Sequence, residues 1–138
     1  MVSLPNHDSS TIKGRQSASD QTRTIQDLKD MVREFCEKRD WDQFHNPKEL
    51  AIGIATEAGE LLQLFRFKDE TQMQEMLEEE KAKQKIRDEL ADVLYFTLRF
   101  AQLYDIDLYE TLSEKLQQNE KKYPQDKVRG KNKKYDEY

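Results

Sequence analysis

The chain has 138 residues, of which 36% are hydrophobic and 37% charged, with a mean hydropathy of -1.04. That length suits one domain, and its scarce apolar surface must be concentrated in a few segments. A net charge of -5 argues against binding a nucleic-acid polymer, which rests on a basic surface. No apolar run reaches membrane-spanning length and no signal-peptide core opens the chain, so a soluble, cytoplasmic protein with no membrane partner is expected.

With 4 glycines and 3 prolines, the chain suits helices better than a turn-rich sheet protein. Residues 1–23 are polar and lack periodicity, and read as a flexible N-terminal arm containing His7. A first helix is predicted after Thr24, an N-cap with Asp27 at the capping-box position, and its apolar stripe runs from Ile25 to Cys36. Cys36 is the single cysteine, which excludes an intrachain disulfide, and its place in the stripe makes it a packing residue. The loop Asp40–Pro47 then gathers Trp41, Phe44 and His45. Its aromatics either plug the bundle or form the rim of a ligand site, where ring faces stack and His donates or accepts.

Asn46 and Pro47 open a second helix, apolar on nearly all sides from Leu50 to Leu64 and therefore expected to be buried. Gly53 and Gly59 inside it point to close helix approach or room for a ligand. The charged stretch 68–85 reads as a short amphipathic helix or a solvated extension. Ile86 opens the next strong helix, and Asp105 or Asp107 begins the last, with Leu108, Leu112 and Leu116 as its stripe. That helix ends near Tyr123-Pro124, so residues 24–124 form the helical domain and 125–138 a basic tail.

Within the apolar segments, Glu57 and Glu60, and again Glu89 and Asp92, lie three residues apart. That spacing puts each pair on one helical face. Glu34/Glu37 and Glu75/Glu78 share the spacing on polar faces, so the setting distinguishes the two apolar pairs. Packed together, four such acids lose hydration and repel one another, and need a cation to remain ionised. Ion pairing with Arg66, Arg87 or Arg99 is one solution; a metal is the other. All-oxygen ligands favour Mg²⁺, with Mn²⁺ as a substitute, and Mg²⁺ usually binds carboxylates together with substrate phosphates. A di-iron site would want Glu-x-x-His pairs, which are absent from this sequence.

The pattern Glu57-x-x-Glu60, spacer, Glu89-x-x-Asp92 resembles the MazG-like all-α nucleoside triphosphate pyrophosphohydrolases. The stretches Arg39-Asp40-Trp41-Asp42-Gln43-Phe44-His45, Gly59-Glu60-Leu61 and Lys115-x-x-x-Asn119-x-x-Lys122-Tyr123-Pro124 are similar to the dCTP pyrophosphatase branch. The resemblance implies an all-α bundle of four to five helices, assembled as a homodimer or homotetramer. It implies Mg²⁺-dependent cleavage of a nucleoside triphosphate between the α and β phosphates, in nucleotide-pool house-cleaning with a dCTP-like preference. By the same resemblance Glu57, Glu60, Glu89 and Asp92 hold the metal. On chemical grounds one of these carboxylates can orient or deprotonate the attacking water, and Glu57 is assigned that role. Trp41, His45, Phe67 and Phe96 would meet the base or sugar, and Lys115, Asn119, Lys122 and Tyr123 the phosphates. The branch tends to carry His, Trp, Tyr and Arg where Val32, Phe67, Phe96 and Lys122 stand, which touches base specificity more than chemistry. The alternatives are a hydrolase like all-α dUTPases or phosphoribosyl-ATP pyrophosphatases, and a non-catalytic helical regulator with a structural ion.

Overall fold

In a computed structural model, which describes residues 17–137, the chain is all-α, with no strand among the described residues. The helices are α1 (Ile25–Glu37), α2 (Pro47–Phe65), α3 (Glu70–Glu78), α4 (Glu80–Leu103), α5 (Leu108–Lys122) and the single-turn α6 (Gln125–Val128). None is long and apolar enough to cross a membrane. His7 and residues 1–16 of the arm lie outside the described residues. Residues 19–22 form a turn, in which Thr22 Oγ1 accepts from the Ser19 amide at 2.8 Å.

The expected caps are in place. Thr24 and Asp27 form a reciprocal capping box at the start of α1, and Asn46 Oδ1 accepts from the Glu49 amide with Pro47 at N1. Asp107, rather than Asp105, caps α5. Asp105 instead adopts φ 51° after α4, and the Ile106 amide reaches back to the Ala101 carbonyl at 2.9 Å. Asp40 does the same after α1, with φ 52° and the Trp41 amide on the Cys36 carbonyl at 3.1 Å. Asp tolerates this left-handed position better than most residues.

Two expectations need correction here. Helix α4 starts at Glu80, six residues before Ile86, because both Glu79 carboxylate oxygens accept from the Lys81 and Ala82 amides. The first turns of α4 are polar all round and carry no apolar period, although Glu, Lys, Ala and Gln are good helix formers. The stretch before it is also helical, since Asp69 and Gln72 make a second capping box for α3.

The second correction concerns α2, which is not buried within the chain. Its main partner is α4; Leu50 and Gly53 are buried, while Ile52 and Leu62 remain 51% and 69% exposed. Cys36, Leu50, Leu98 and Ala101 are the buried apolar residues. Lys29 is also buried, and its Nζ donates to the Ile106 carbonyl at 2.5 Å, tying α1 to the α4–α5 turn. Gly53 has a clear steric reason: a Cβ there would sit 2.4 Å from the Phe96 ring. Gly59 has open space around it.

Candidate metal and ligand site

Helix α2 carries Glu57 and Glu60, and α4 carries Glu89 and Asp92. Where the two helices pack, carboxylate oxygens of Glu57, Glu60 and Glu89 come within 4.8 Å of one another. Asp92 is outside that trio but close enough for its charge to act on both Glu57 and Glu89. Partial burial comes first in pushing the Glu57 carboxyl above its usual range, followed by the charges of Glu60, Asp92 and Glu89. Glu89 is raised in the same way, by burial and then by Glu60 and Asp92. Its Oε2 is shielded from solvent and meets no donor among the described residues.

Full burial of all four acids, expected from the sequence, is not found: Glu57 and Glu89 are half-buried, whereas Glu60 and Asp92 are exposed. They line an open edge of the α2–α4 seam, because the helix faces beside them are uncovered in the protomer. The arginines do not neutralise them. Arg66 lies 4.7 Å from the Phe67 ring centroid, Arg99 is engaged elsewhere, and no ion pair joins Arg87 to the four. A shielded carboxylate oxygen without a donor, beside two more carboxylates, fits a hard divalent cation.

The aromatic loop sits farther along α4. Glu89, Asp92, Phe96 and Arg99 follow one face of that helix, and the helical rise separates Asp92 from Arg99 by about 10 Å. The Arg99 guanidinium is fully buried. Its Nε donates to His45 Nδ1 at 3.0 Å, Nη1 to Gln102 Oε1 at 2.5 Å, and Nη2 to Asp42 Oδ1. Gln43 closes the loop from below by donating to the Asp40 carboxylate and carbonyl. Burial and the Arg99 charge lower the His45 pKa from 6.5, against an opposing pull from Asp42.

Trp41 is not a plug under the bundle; it stands at the edge of a run of rings. Its indole meets Phe35 at 5.6 Å, Phe35 meets Tyr95 at 6.0 Å, and Tyr95 meets Phe96 at 5.0 Å, all edge-on. His45 lies 6.4 Å from Trp41. Trp41, Phe35, Tyr95 and Phe96 thus form one chain of rings, with His45 beside Trp41. Phe67 is not among them: it is 90% exposed at φ 61°.

Lys115, Asn119 and Lys122 also stay apart from the acids within one protomer. Helix α5 packs sparsely on the other helices, and no hydrogen bond or ion pair is seen from these residues to the four carboxylates. Tyr123 pairs edge-on with Tyr135 at 6.1 Å, and Lys122 Nζ lies 5.3 Å from the same Tyr135 ring. The residue that sequence reasoning misplaced is Arg99. Its position between Leu98 and Phe100 was the available signal, because a cation in an apolar stripe must find an acid.

Residues 52–138 match the MazG-like family. Mouse dCTP pyrophosphatase 1 is 33% identical over 107 residues, covering 78% of this chain and 63% of that protein. Human dCTP pyrophosphatase 1 is 31% identical over 114 residues, covering 83% and 67%. The chain thus spans under two thirds of the length of the mouse relative. A crystal structure of a pyrophosphatase from Archaeoglobus fulgidus superposes with a TM-score of 0.67 at 36% identity, covering 72% of this chain and 92% of that one. On sequence and fold together, the chain belongs to the MazG-like family.

Proposed function

We propose that the protein is a Mg²⁺-dependent nucleoside triphosphate pyrophosphohydrolase that prefers dCTP or a close analogue. The observation that carries this reading is the convergence of carboxylate oxygens from Glu57, Glu60 and Glu89, one of which, Glu89, also holds a shielded oxygen without a donor. The names of the mouse, human and archaeal relatives support the reaction class. Glu57, Glu60, Glu89 and Asp92 would hold the ion. When bound, a divalent cation neutralises phosphate charge and lowers the pKa of a coordinated water.

The protein's own groups have separable tasks. A carboxylate with a raised pKa is suited to taking a proton near neutral pH, and Glu57 is assigned that role. Trp41, His45 and Phe96 receive the base and sugar. Lys115, Asn119 and Lys122 share one face of α5 at i, i+4 and i+7, where with Tyr123 they stabilise the leaving pyrophosphate. Since α5 does not deliver them to the acids of its own protomer, a second copy is assigned that part. Exposed Ile52, Leu62, Leu90, Leu94, Leu112 and Leu116 supply apolar surface for a homodimer or homotetramer. The same assembly offers Phe67 a place against a site.

The test is a panel of deoxynucleoside and ribonucleoside triphosphates at equal concentration with Mg²⁺. Monophosphate and pyrophosphate should appear in equal amounts, fastest from dCTP. Fastest turnover of dUTP or phosphoribosyl-ATP would reassign the substrate, and absence of pyrophosphate from every nucleotide would overturn the reading in favour of a binding regulator. Light scattering on the same sample reads the copy number.

A further inference from the structure

We propose that Arg99 is a positioning residue that fixes His45 as the Nε2–H tautomer, making His45 an obligate hydrogen-bond donor to an acceptor atom of the ligand. An arginine has only donors and keeps its charge throughout the working pH range. Its Nε–H on His45 Nδ1 therefore requires a lone pair at that nitrogen, which leaves the neutral ring's proton on Nε2. Nε2 has no partner among the described residues and is not one of the buried unsatisfied atoms, so it reaches solvent beside Trp41.

The arrangement is built rather than incidental. Arg99 is fully buried and each of its three nitrogens has a partner, with Asp42 and Gln102 on the two Nη atoms, so the guanidinium cannot swing away without stranding a charge. Two charged groups face the imidazole. Arg99, from α4, opposes protonation, while Asp42, from the same loop as His45, favours it more weakly. Protonation of the ring is thereby displaced to lower pH than that of an ordinary histidine.

This has a consequence for recognition, which rests on the nucleotide-hydrolase reading above. A fixed N–H can pair with cytosine N3 or O2, or with a carbonyl of another base. It cannot pair with cytosine's amino group or with the N3–H of uracil or thymine. His45 thus reads acceptors only, and any selection for the amino group has to come from another residue.

The direct test needs no substrate. His7 and His45 are the only histidines, so in a His7→Asn chain imidazole ¹⁵N NMR reports His45 alone. We expect an unprotonated Nδ1 and a protonated Nε2 in the neutral ring at about pH 8, with a titration midpoint below the ordinary 6.5. A protonated Nδ1, or titration at the ordinary 6.5, overturns the proposal. In Arg99→Met the ring should titrate at a higher pH than in the parent, since burial still acts on it but the guanidinium does not, and the inflection in KM for dCTP should move up with it, with kcat following the same course in both. A KM raised by one constant factor at every pH would mean that Arg99 is merely structural. If Arg99→Met does not fold, the NMR of the parent still decides. If dCTP is not hydrolysed at all, the substrate reading fails while the NMR result stands.

Discussion

The two ends of the functional face of α4 solve opposite electrostatic problems. At the Arg99 end, one buried cation has a partner from the chain itself at each of its nitrogens, in Asp42, His45 and Gln102. At the Glu89 end, acids from two helices converge, and one shielded oxygen has no donor. A satisfied buried charge holds a loop still; an unsatisfied one suits a ligand of opposite sign. The difference separates scaffold from site more cleanly than spacing does, since Glu-x-x-Glu recurs where nothing converges.

The largest effect should come from the unsatisfied end. Glu60→Gln should lower pyrophosphate release by about a hundredfold or more, given that even outer residues of metal sites cost 10–100-fold. In EDTA the same variant should melt at a higher temperature than the parent, because one of the mutually repelling charges is gone. A lower melting temperature in EDTA would mean that the acids already have partners. At the satisfied end, Asp42→Ala should cost stability. Asp42 is half exposed, so solvent screens the loss and places it near about 2 kcal/mol by urea denaturation.

The pH dependence should separate the ends further. Glu89 has a raised folded pKa, so the folded state binds its proton first as pH falls, and the protein's penalty for an ionised Glu89 fades toward the unfolded value of 4.5. In EDTA, the excess melting temperature of Glu89→Gln over the parent should therefore shrink as pH drops from about 8 to about 5. His45, with its lowered pKa, works in the opposite sense below 6.5, but it is present in both proteins and cancels. A gap that widens on acidification would reverse the assignment. The smallest effect belongs to Gly59→Ala. With open space around it, alanine should stabilise the helix by about 0.5–1 kcal/mol. Destabilisation that depends on protein concentration would instead mean that a second copy approaches there.

Much of this fold is legible in the sequence where a local rule and the packing agree. Thr24/Asp27, Asn46-Pro47 and Asp107 mark helix starts by hydrogen bonds that span only three residues, and Ile25 to Cys36 shows its buried side by period. The start of α4 is hidden because polar turns with good propensity have no period to read. The openness of α2 is hidden for another reason: apolar residues such as Ile52 and Leu62 look the same whether their cover comes from this protomer or from a second copy. For the site, the two carboxylate pairs can be found from spacing and setting. The commitment of Arg99 to Asp42 and His45 cannot, because 57 and 54 positions separate the partners. The sequence equally offers Arg99 to the acids.

The contact between Gly53 and Phe96 lies midway between those two ends. Because a Cβ at position 53 would overlap the ring at 2.4 Å, the two positions cannot vary independently. Gly53→Ala alone should overpack the seam, whereas Phe96→Leu should make room for it, so the double variant should be more stable than the sum of the singles. In descendants of this sequence the order of change matters: the aromatic at 96 must shrink before anything larger than glycine is accepted at 53. A residue that faces the proposed ligand is thereby tied to the backbone spacing of the two helices that carry the acids, and a change of base preference through position 96 would also reset the distance between them.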